Sequence, residues 1–419
     1  MRHAIVTFGC RVNQADSFGI EDALRARGSQ AAAPEQADVV VVNTCAVTAS
    51  AEQAARQTIR RIARANPAAR LIVTGCYATR RLDEIAGLPN VLRVVPNMEK
   101  EALVEAVAAD IGLTSAERFG NGAGPCGSTL EPGVAGRTAL TLRVQTGCDE
   151  RCSYCIIPST RGASRSRCLD AVLGDVHRAT AAGYKELAIT GVHLGSYGRD
   201  LGDGSSLASL IRALAAGPDD VLFRISSLEP MDCTQELVDL AASSPRLAPH
   251  FHLPLQHGSD AVLRSMRRPY TVAFYEALID RIRVALPDAS IGSDVIVGFP
   301  GESPEHFEEM RAVLERLPLT YLHVFPYSDR PGTAASRLRP KVDGRMIRER
   351  AGQVRAIGAA MAERFRRAQT GRVMRALTVD DGTSVVTSNY LKLRIPPGRA
   401  RNEWVVVRVL EQLRGELVA

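Results

Sequence analysis

The sequence has no apolar run approaching the length of a membrane span, so neither a spanning helix nor a membrane partner is expected. The start, MRHAIVTFGC, lacks the long apolar core and small-residue cleavage site of a signal peptide, and none is expected. There is no internal repeat, which argues against solenoid and propeller architectures. Neither sign of charge dominates. Lys and Arg number 52 against 46 Asp and Glu, and the net charge of +6 permits an anionic partner without requiring one. Nine cysteines in 419 residues are too sparse for a secreted disulfide scaffold. Their placement instead suggests metal ligation in a reducing, cytoplasmic setting.

Six of those cysteines fall into two groups of three. Cys148, Cys152 and Cys155 lie together in GCDERCSYC with CxxxCxxC spacing. Three thiolates in so short a loop can hold three irons of a [4Fe–4S] cluster and leave the fourth open for chemistry. A structural zinc knuckle is the competing reading, but zinc takes four ligands and no fourth Cys or His lies close by. Cys10, Cys45 and Cys76 are far apart, and each follows a short apolar run. They read as a second three-cysteine site, assembled by the fold; the alternative is three buried structural cysteines.

Patterning predicts an α/β protein. Apolar runs at Ala4–Phe8, Asp38–Val42, Arg70–Val73 and Val91–Val95 alternate with helical segments at Asp16–Arg27, Ser50–Ala65, Arg80–Ala86 and Met98–Ile111. This predicts a parallel α/β domain over residues 1–112, with Cys10, Cys45 and Cys76 emerging from the carboxyl ends of its first three strands. Residues 113–137, rich in Gly, Pro and Ser, read as a linker in which Cys126 is incidental. Residues 138–340 repeat the alternation, with strands at Ala139–Val144, Glu186–Thr190, Leu222–Ile225, Ser290–Val297 and Tyr321–Phe325. They predict a parallel barrel, full or partial, with its site at the strand carboxyl ends. Residues 341–370 read as a linking helix and 371–419 as a small β-barrel.

TFGCRVNQADS, VVNTCAVT and IVTGCY, followed by RVQTGCDERCSYCIIPSTRG, TGVHLGSYG, RISSLEP, FHLPLQHGSD, SDVIVGFPGE and HVFPYSDRPGT, resemble in order the motifs of the radical S-adenosylmethionine (SAM) methylthiotransferase family. GCRVNQ, NTCAVT and HVFPYSDRPGT are most similar to the branch that modifies tRNA bearing N6-threonylcarbamoyladenosine next to the anticodon. Other branches act on N6-isopentenyladenosine in tRNA or on a ribosomal-protein aspartate. A non-catalytic iron–sulfur protein that binds RNA or carries electrons is the reading from a different class. His257 and Cys168 depart from the usual serine and proline, and the tail is short for the TRAM RNA-binding barrel it resembles.

The resemblance implies two [4Fe–4S] clusters. One, on Cys148, Cys152 and Cys155, binds SAM and cleaves it reductively; the other, on Cys10, Cys45 and Cys76, carries the sulfur to be transferred. It implies the anticodon stem-loop of tRNA, an external electron donor and a sulfur source as partners. Tyr154 is expected beside the SAM adenine, Thr190 and Gly191 at its methionine end, and Ser226, Ser227 and Glu229 at its ribose or amino group; turn and cap roles compete for the last five. Asn13 is expected to shape the N-terminal site or cap a helix, and Gln256 and His257 to contact substrate or SAM, with a structural histidine as the alternative. Tyr390, Lys392, Arg394 and Trp404 pair cations with aromatics, a pattern suited to phosphates and unpaired bases but also found on a solvated β surface.

Overall fold

The computed structural model describes residues 1–111, 138–217 and 220–418. The expected linker and Cys126 lie outside the described residues. The chain forms two compact units; Thr146–Glu150 and Ile156–Ala163 belong with the N-terminal unit, Arg151–Cys155 and the residues from Ser164 onward with the second.

In the N-terminal unit, β1 (Arg2–Thr7), β2 (Gln30–Ala31), β3 (Val39–Thr44), β4 (Arg70–Gly75) and β5 (Val91–Val95) form one sheet in the order β2-β1-β3-β4-β5, with every pairing parallel. The β-branched run of β3 is buried on both faces, as parallel strands require. Alternation sends Val40, Val42, Leu71 and Val73 to one core, against Ala55, Ile59 and Ile62 of the helix Ala49–Ala65. Val39, Val41 and Ile72 enter the opposite core, with Ile20, Leu24, Leu103 and Val107. Each such side chain contributes roughly 1.5–3 kcal/mol by burial.

Local details differ from expectation. The first helix begins at Arg11 rather than Asp16, because Asn13, Asp16 and Ser17 are drawn inward by polar partners. The segment expected as a helix over 80–86 is two short helices, Cys76–Arg80 and Leu82–Ala86. Met98–Ile111 divides into a 3₁₀ turn, Asn97–Ala102, and a helix, Leu103–Ile111. The two-residue strand β2 makes Cys45 and Cys76 follow the third and fourth strands, not the second and third.

The second unit contains a partial barrel. Its parallel strands are β6 (Leu140–Arg143), β7 (Glu186–Thr190), β8 (Leu222–Ile225), β9 (His250–His252), β10 (Ser290–Val297) and β11 (Tyr321–Pro326). They pair as β8-β7-β6 and β9-β10-β11, joined by parallel bridges at Phe223–Leu247 and Ser227–His252. No pairing links β11 to β6 among the described residues. The polar strand β9 precedes the loop that carries Gln256 and His257. The helix Gly344–Gln369 then leads to an antiparallel sheet: β12 (Val373–Val379), β13 (Ser384–Thr387), β14 (Lys392–Arg394), β15 (Trp404–Val409) and β16 (Gly415–Val418), in the order β14-β13-β12-β15-β16. β16 was unexpected. A bridge between Arg394 and Arg414 brings the two edges together around Val385, Leu393, Val405 and Val407.

This C-terminal sheet is fastened to the partial barrel. Arg375 Nη2 pairs with Asp220 Oδ2 at 2.5 Å, Arg224 Nη1 donates to Ser388 O at 3.1 Å, and Asn402 Nδ2 donates to Gly183 O at 2.7 Å. Asn389 Nδ2 donates to both Asp288 O and Gln369 Oε1.

Leu71 is fully buried in the N-terminal core. Leu71→Ala is expected to cost about 2–5 kcal/mol in the unfolding of that unit, read as a lower urea midpoint.

Candidate functional site

The three distant cysteines leave the carboxyl ends of the neighbouring strands β1, β3 and β4. Two glycines press their loops together. Gly75, at φ +99°, sits where a Cβ would fall 2.2 Å from Thr44 O, so the residue before Cys76 lies on the residue before Cys45. A Cβ on Gly9, before Cys10, would fall 2.6 Å from Cys45 Sγ. Asn13 ties the same loops, its Nδ2 donating to Phe8 O at 2.8 Å and Thr44 O at 3.0 Å.

Beside these thiols lies a buried charge network. Asp16 Oδ2 accepts from Lys100 Nζ at 2.9 Å and from Arg161 Nη2 at 3.1 Å. Arg161 Nη2 also donates to Asn13 Oδ1 at 2.5 Å, and Lys100 Nζ to Asn43 Oδ1 at 3.2 Å. All three charged side chains are nearly inaccessible to water. Burial pushes the Lys100 ammonium down, against the pull of Asp16. Burial also opposes charge on Arg161, but Cys76, Asp16 and Cys10 outweigh it and raise its pKa. Two cations against one carboxylate leave an excess positive charge away from water, which is costly unless an anion balances it. Thiolates on a metal cluster supply that anion, so the donor set and its surroundings fit a cluster. Asn97 Nδ2 adds a contact to Cys76 Sγ at 3.5 Å and donates to Thr160 O.

In the second unit, Cys152 Sγ accepts from Arg268 Nη1 at 3.0 Å, and Arg268 Nη2 pairs with Glu229. Burial opposes the charge on Arg268, but Tyr154, Tyr270 and Cys152 outweigh it. This cation beside a cysteine that can act as a ligand also suits a thiolate-bound cluster. The loop is held by Ser153, whose N donates to Met266 O and whose O accepts from Ala335 N. Tyr154 packs against the cluster of Val262, Met266, Ile296, Phe299 and Ala335.

The other expected residues separate into those free to meet a ligand and those occupied by the protein. Ser226 Oγ is buried without a partner among the described residues, as a ligand-facing hydroxyl would be, and Ser227 is exposed. Glu229 is committed to Arg268. Thr190 ends β7 inside the sheet, and the space beside Gly191 is filled by Gln145, whose Oε1 accepts from the amides of Val192 and His193. Gln256, at φ +67°, pairs its backbone with Asp294 and Ile296. His257 has the partners of the structural histidine: it is fully buried, accepts from Ser259 N at Nδ1 and donates from Nε2 to Glu302, which also pairs with Arg350.

Two tail aromatics are likewise occupied. Tyr390 lies under the Arg224 guanidinium at 4.8 Å and against His250 at 4.6 Å, near the amino ends of the barrel strands and away from the cysteine loop. Trp404 is covered by Arg375 at 3.8 Å. Lys392 pairs with Asp380, and Arg394 is exposed on β14. Arg161, Lys100, Arg268 and Gln145 were missed. Arg161 and Gln145 stand inside the motif RVQTGCDERCSYCIIPSTRG, which was a usable signal; Lys100 and Arg268 have none in their local sequence.

Residues 2–96 match the family described as "Uncharacterized protein family UPF0004", and residues 142–314 match the Radical SAM superfamily. The threonylcarbamoyladenosine tRNA methylthiotransferase MtaB of Aquifex aeolicus is 36% identical over 94% of this chain and 96% of its own length. A tRNA-2-methylthio-N(6)-dimethylallyladenosine synthase of a Parafrankia species is 33% identical over 95% of this chain and 82% of its own. Among solved structures, the radical SAM methyltransferase TsrM of Kitasatospora setae, with cobalamin and a [4Fe-4S] cluster bound, superposes with a TM-score of 0.57 at 18% identity over 80% of this chain and 76% of that one, a likeness of fold.

Arg161→Gln, in a background where Cys148, Cys152 and Cys155 are alanine, is expected to lower the iron retained after anaerobic reconstitution severalfold relative to that background. Iron analysis and the visible absorption of the cluster measure it.

Proposed function

Because the chain belongs to the radical SAM methylthiotransferase family, we propose that its substrate is the N6-threonylcarbamoyladenosine next to the anticodon of tRNA, and that it replaces an aromatic C–H of that base with a methylthio group. It is an enzyme of the tRNA-modifying kind, and its family works with SAM and two [4Fe–4S] clusters. The observation that carries the reading is the pair of three-cysteine sites, each with a buried guanidinium set against a cysteine that can act as a ligand: Arg161 for Cys10 and Cys76, Arg268 for Cys152. When bound, the clusters and SAM supply the radical and sulfur chemistry.

The chain's own residues orient and shield. Arg268 ties Cys152 to Glu229, which steadies the loop that carries Tyr154. Tyr154, Ile296 and Phe299 make an apolar wall suited to excluding water around the adenine of SAM. Ser226 Oγ has no protein partner to give up on meeting a ligand. Gln145 braces the turn after β7, where Thr190 and Gly191 would border the methionine end. On the N-terminal side, Arg161 and Lys100 offset the negative charge of thiolate-bound iron. Reduction and sulfur replacement are assigned to an external electron donor and an external sulfur source. The C-terminal sheet, with exposed Lys392 and Arg394, is assigned to the RNA backbone as a TRAM-like module, and the cytoplasm, where tRNA is modified, as the place of action. No helix among the described residues is long and apolar enough to cross a membrane.

The deciding experiment is mass spectrometry of nucleosides from bulk tRNA of cells with and without the gene. Loss of 2-methylthio-N6-threonylcarbamoyladenosine, with its unthiolated precursor accumulating, is expected; an unchanged profile rejects the assignment. On purified protein, Cys152→Ala is expected to abolish 5′-deoxyadenosine release. Cys45→Ala is expected to retain it while forming no methylthio product, both followed by liquid chromatography.

A further inference from the structure

The barrel wall carries a polar cluster that neither cysteine site uses. His252 on β9, Asp294 on β10 and His323 on β11 meet at one carboxylate oxygen: His252 Nε2 donates to Asp294 Oδ1 at 2.9 Å and His323 Nδ1 donates to it at 3.1 Å. Burial alone would raise the Asp294 carboxyl, but these hydrogen bonds outweigh it and hold the group at about 2, so it is ionised. Tyr321 Oη lies 3.1 Å from His252 Nδ1 and 2.9 Å from His250 Nε2, which fixes both rings. The tyrosine has room because residue 292 is glycine; a Cβ there would fall 1.9 Å from its ring.

The cluster faces inward. Leu322, between Tyr321 and His323, packs on Gly358 of the helix Gly344–Gln369, where an added Cβ would lie 3.2 Å away. Strand alternation then turns Tyr321, His323 and Phe325 to the interior. There the His323 side chain is 57% exposed and Phe325 is 36% exposed, so this inner face borders open space rather than packed core. Among the described residues nothing occupies His323 Nε2. Asp294 shares its face of β10 with Ile296, which packs in the same cluster as Tyr154 of the cysteine loop. One strand repeat, about 7 Å, therefore separates the polar cluster from the wall of the radical site.

We infer that His252, Asp294 and His323 form the subsite that receives the N6 substituent of the target adenosine and selects a polar arm over an apolar one. This rests on the methylthio transfer to tRNA proposed above. A threonylcarbamoyl arm carries ureido N–H groups, a hydroxyl and a carboxylate. The Asp294 carboxylate accepts from N–H and O–H, and His323 Nε2, left as an acceptor when Nδ1 donates to Asp294, accepts from the hydroxyl or a ureido N–H. A dimethylallyl arm offers neither, so it would strip water from an ionised carboxylate and return no hydrogen bond. Sites built to hydrogen-bond a substrate discriminate strongly against analogues that lack the partner. Both kinds of arm occur among the relatives' named substrates.

The test uses the full-length protein with both clusters, and two tRNAs that differ only in carrying N6-threonylcarbamoyladenosine or N6-dimethylallyladenosine. His323→Leu, matched to wild type in iron content, is expected to lose at least about tenfold in kcat/KM on the first tRNA, mainly through KM, and to narrow the preference between the two. His323→Gln, whose amide keeps both a donor and an acceptor, is expected to recover most of the loss, and Asp294→Asn to follow His323→Leu. If wild type turns over the threonylcarbamoyl tRNA while His323→Leu and Asp294→Asn match it in KM and preference, the inference is overturned and the reaction stands. If wild type cleaves SAM but modifies neither tRNA, the reaction falls and the inference with it. One equivalent of zinc in wild type, lost in His323→Leu, also overturns it, because the cluster would then be a metal site.

Discussion

Two cations and one carboxylate are sealed from water in the N-terminal unit, and much of that unit's sequence serves the resulting imbalance. Asp16 can neutralise either Lys100 or Arg161, not both. The remaining charge is tolerable only beside anions, and the nearby candidates are the thiolates of Cys10 and Cys76. Thiolate formation, metal capture and burial of the two cations are therefore one linked equilibrium. The first helix, starting at Arg11, carries Asn13, Asp16 and Ser17 on its buried side, toward this network.

The parts of this arrangement governed by local pattern were legible in the sequence. The β-branched runs before Cys45 and Cys76 mark buried parallel strands, and parallel strands deliver the residues at their carboxyl ends to one edge. The bounds of β7, β8 and β10 agree with their apolar patterning because those strands feed a core. Partners separated along the chain were not legible. Arg161 and Asn13 are 148 residues apart, and Arg268 and Cys152 are 116 apart. No local periodicity announces such pairs. β9 carries a weak apolar signature because His250 and His252 face polar partners.

Two of the candidate residues have partners inside the protein. His257 and Tyr390 stand in loops with the composition of ligand contacts; His257 is fully buried, whereas Tyr390, 43% exposed, keeps one face against Arg224. His257 closes a circuit with Glu302 and Arg350, and Tyr390 caps Arg224. A polar or aromatic loop residue looks the same in sequence whether it greets a ligand or seals the protein. The Glu186–Arg224 pair at 2.8 Å explains why an aromatic is needed there: a buried guanidinium offers a flat cationic face that Tyr390 covers.

The C-terminal sheet is joined to the barrel by ion pairs and hydrogen bonds at Arg375, Ser388, Asn389 and Asn402, spread over its strands and turns, Ser388 accepting from Arg224 of the barrel. A module hung on a supple tether samples many separations, and a ligand spanning both parts must arrest that wandering. Here the separation is set before anything arrives. The second unit behaves as a caliper with locked jaws: anything that spans the sheet and the barrel must match a separation already fixed.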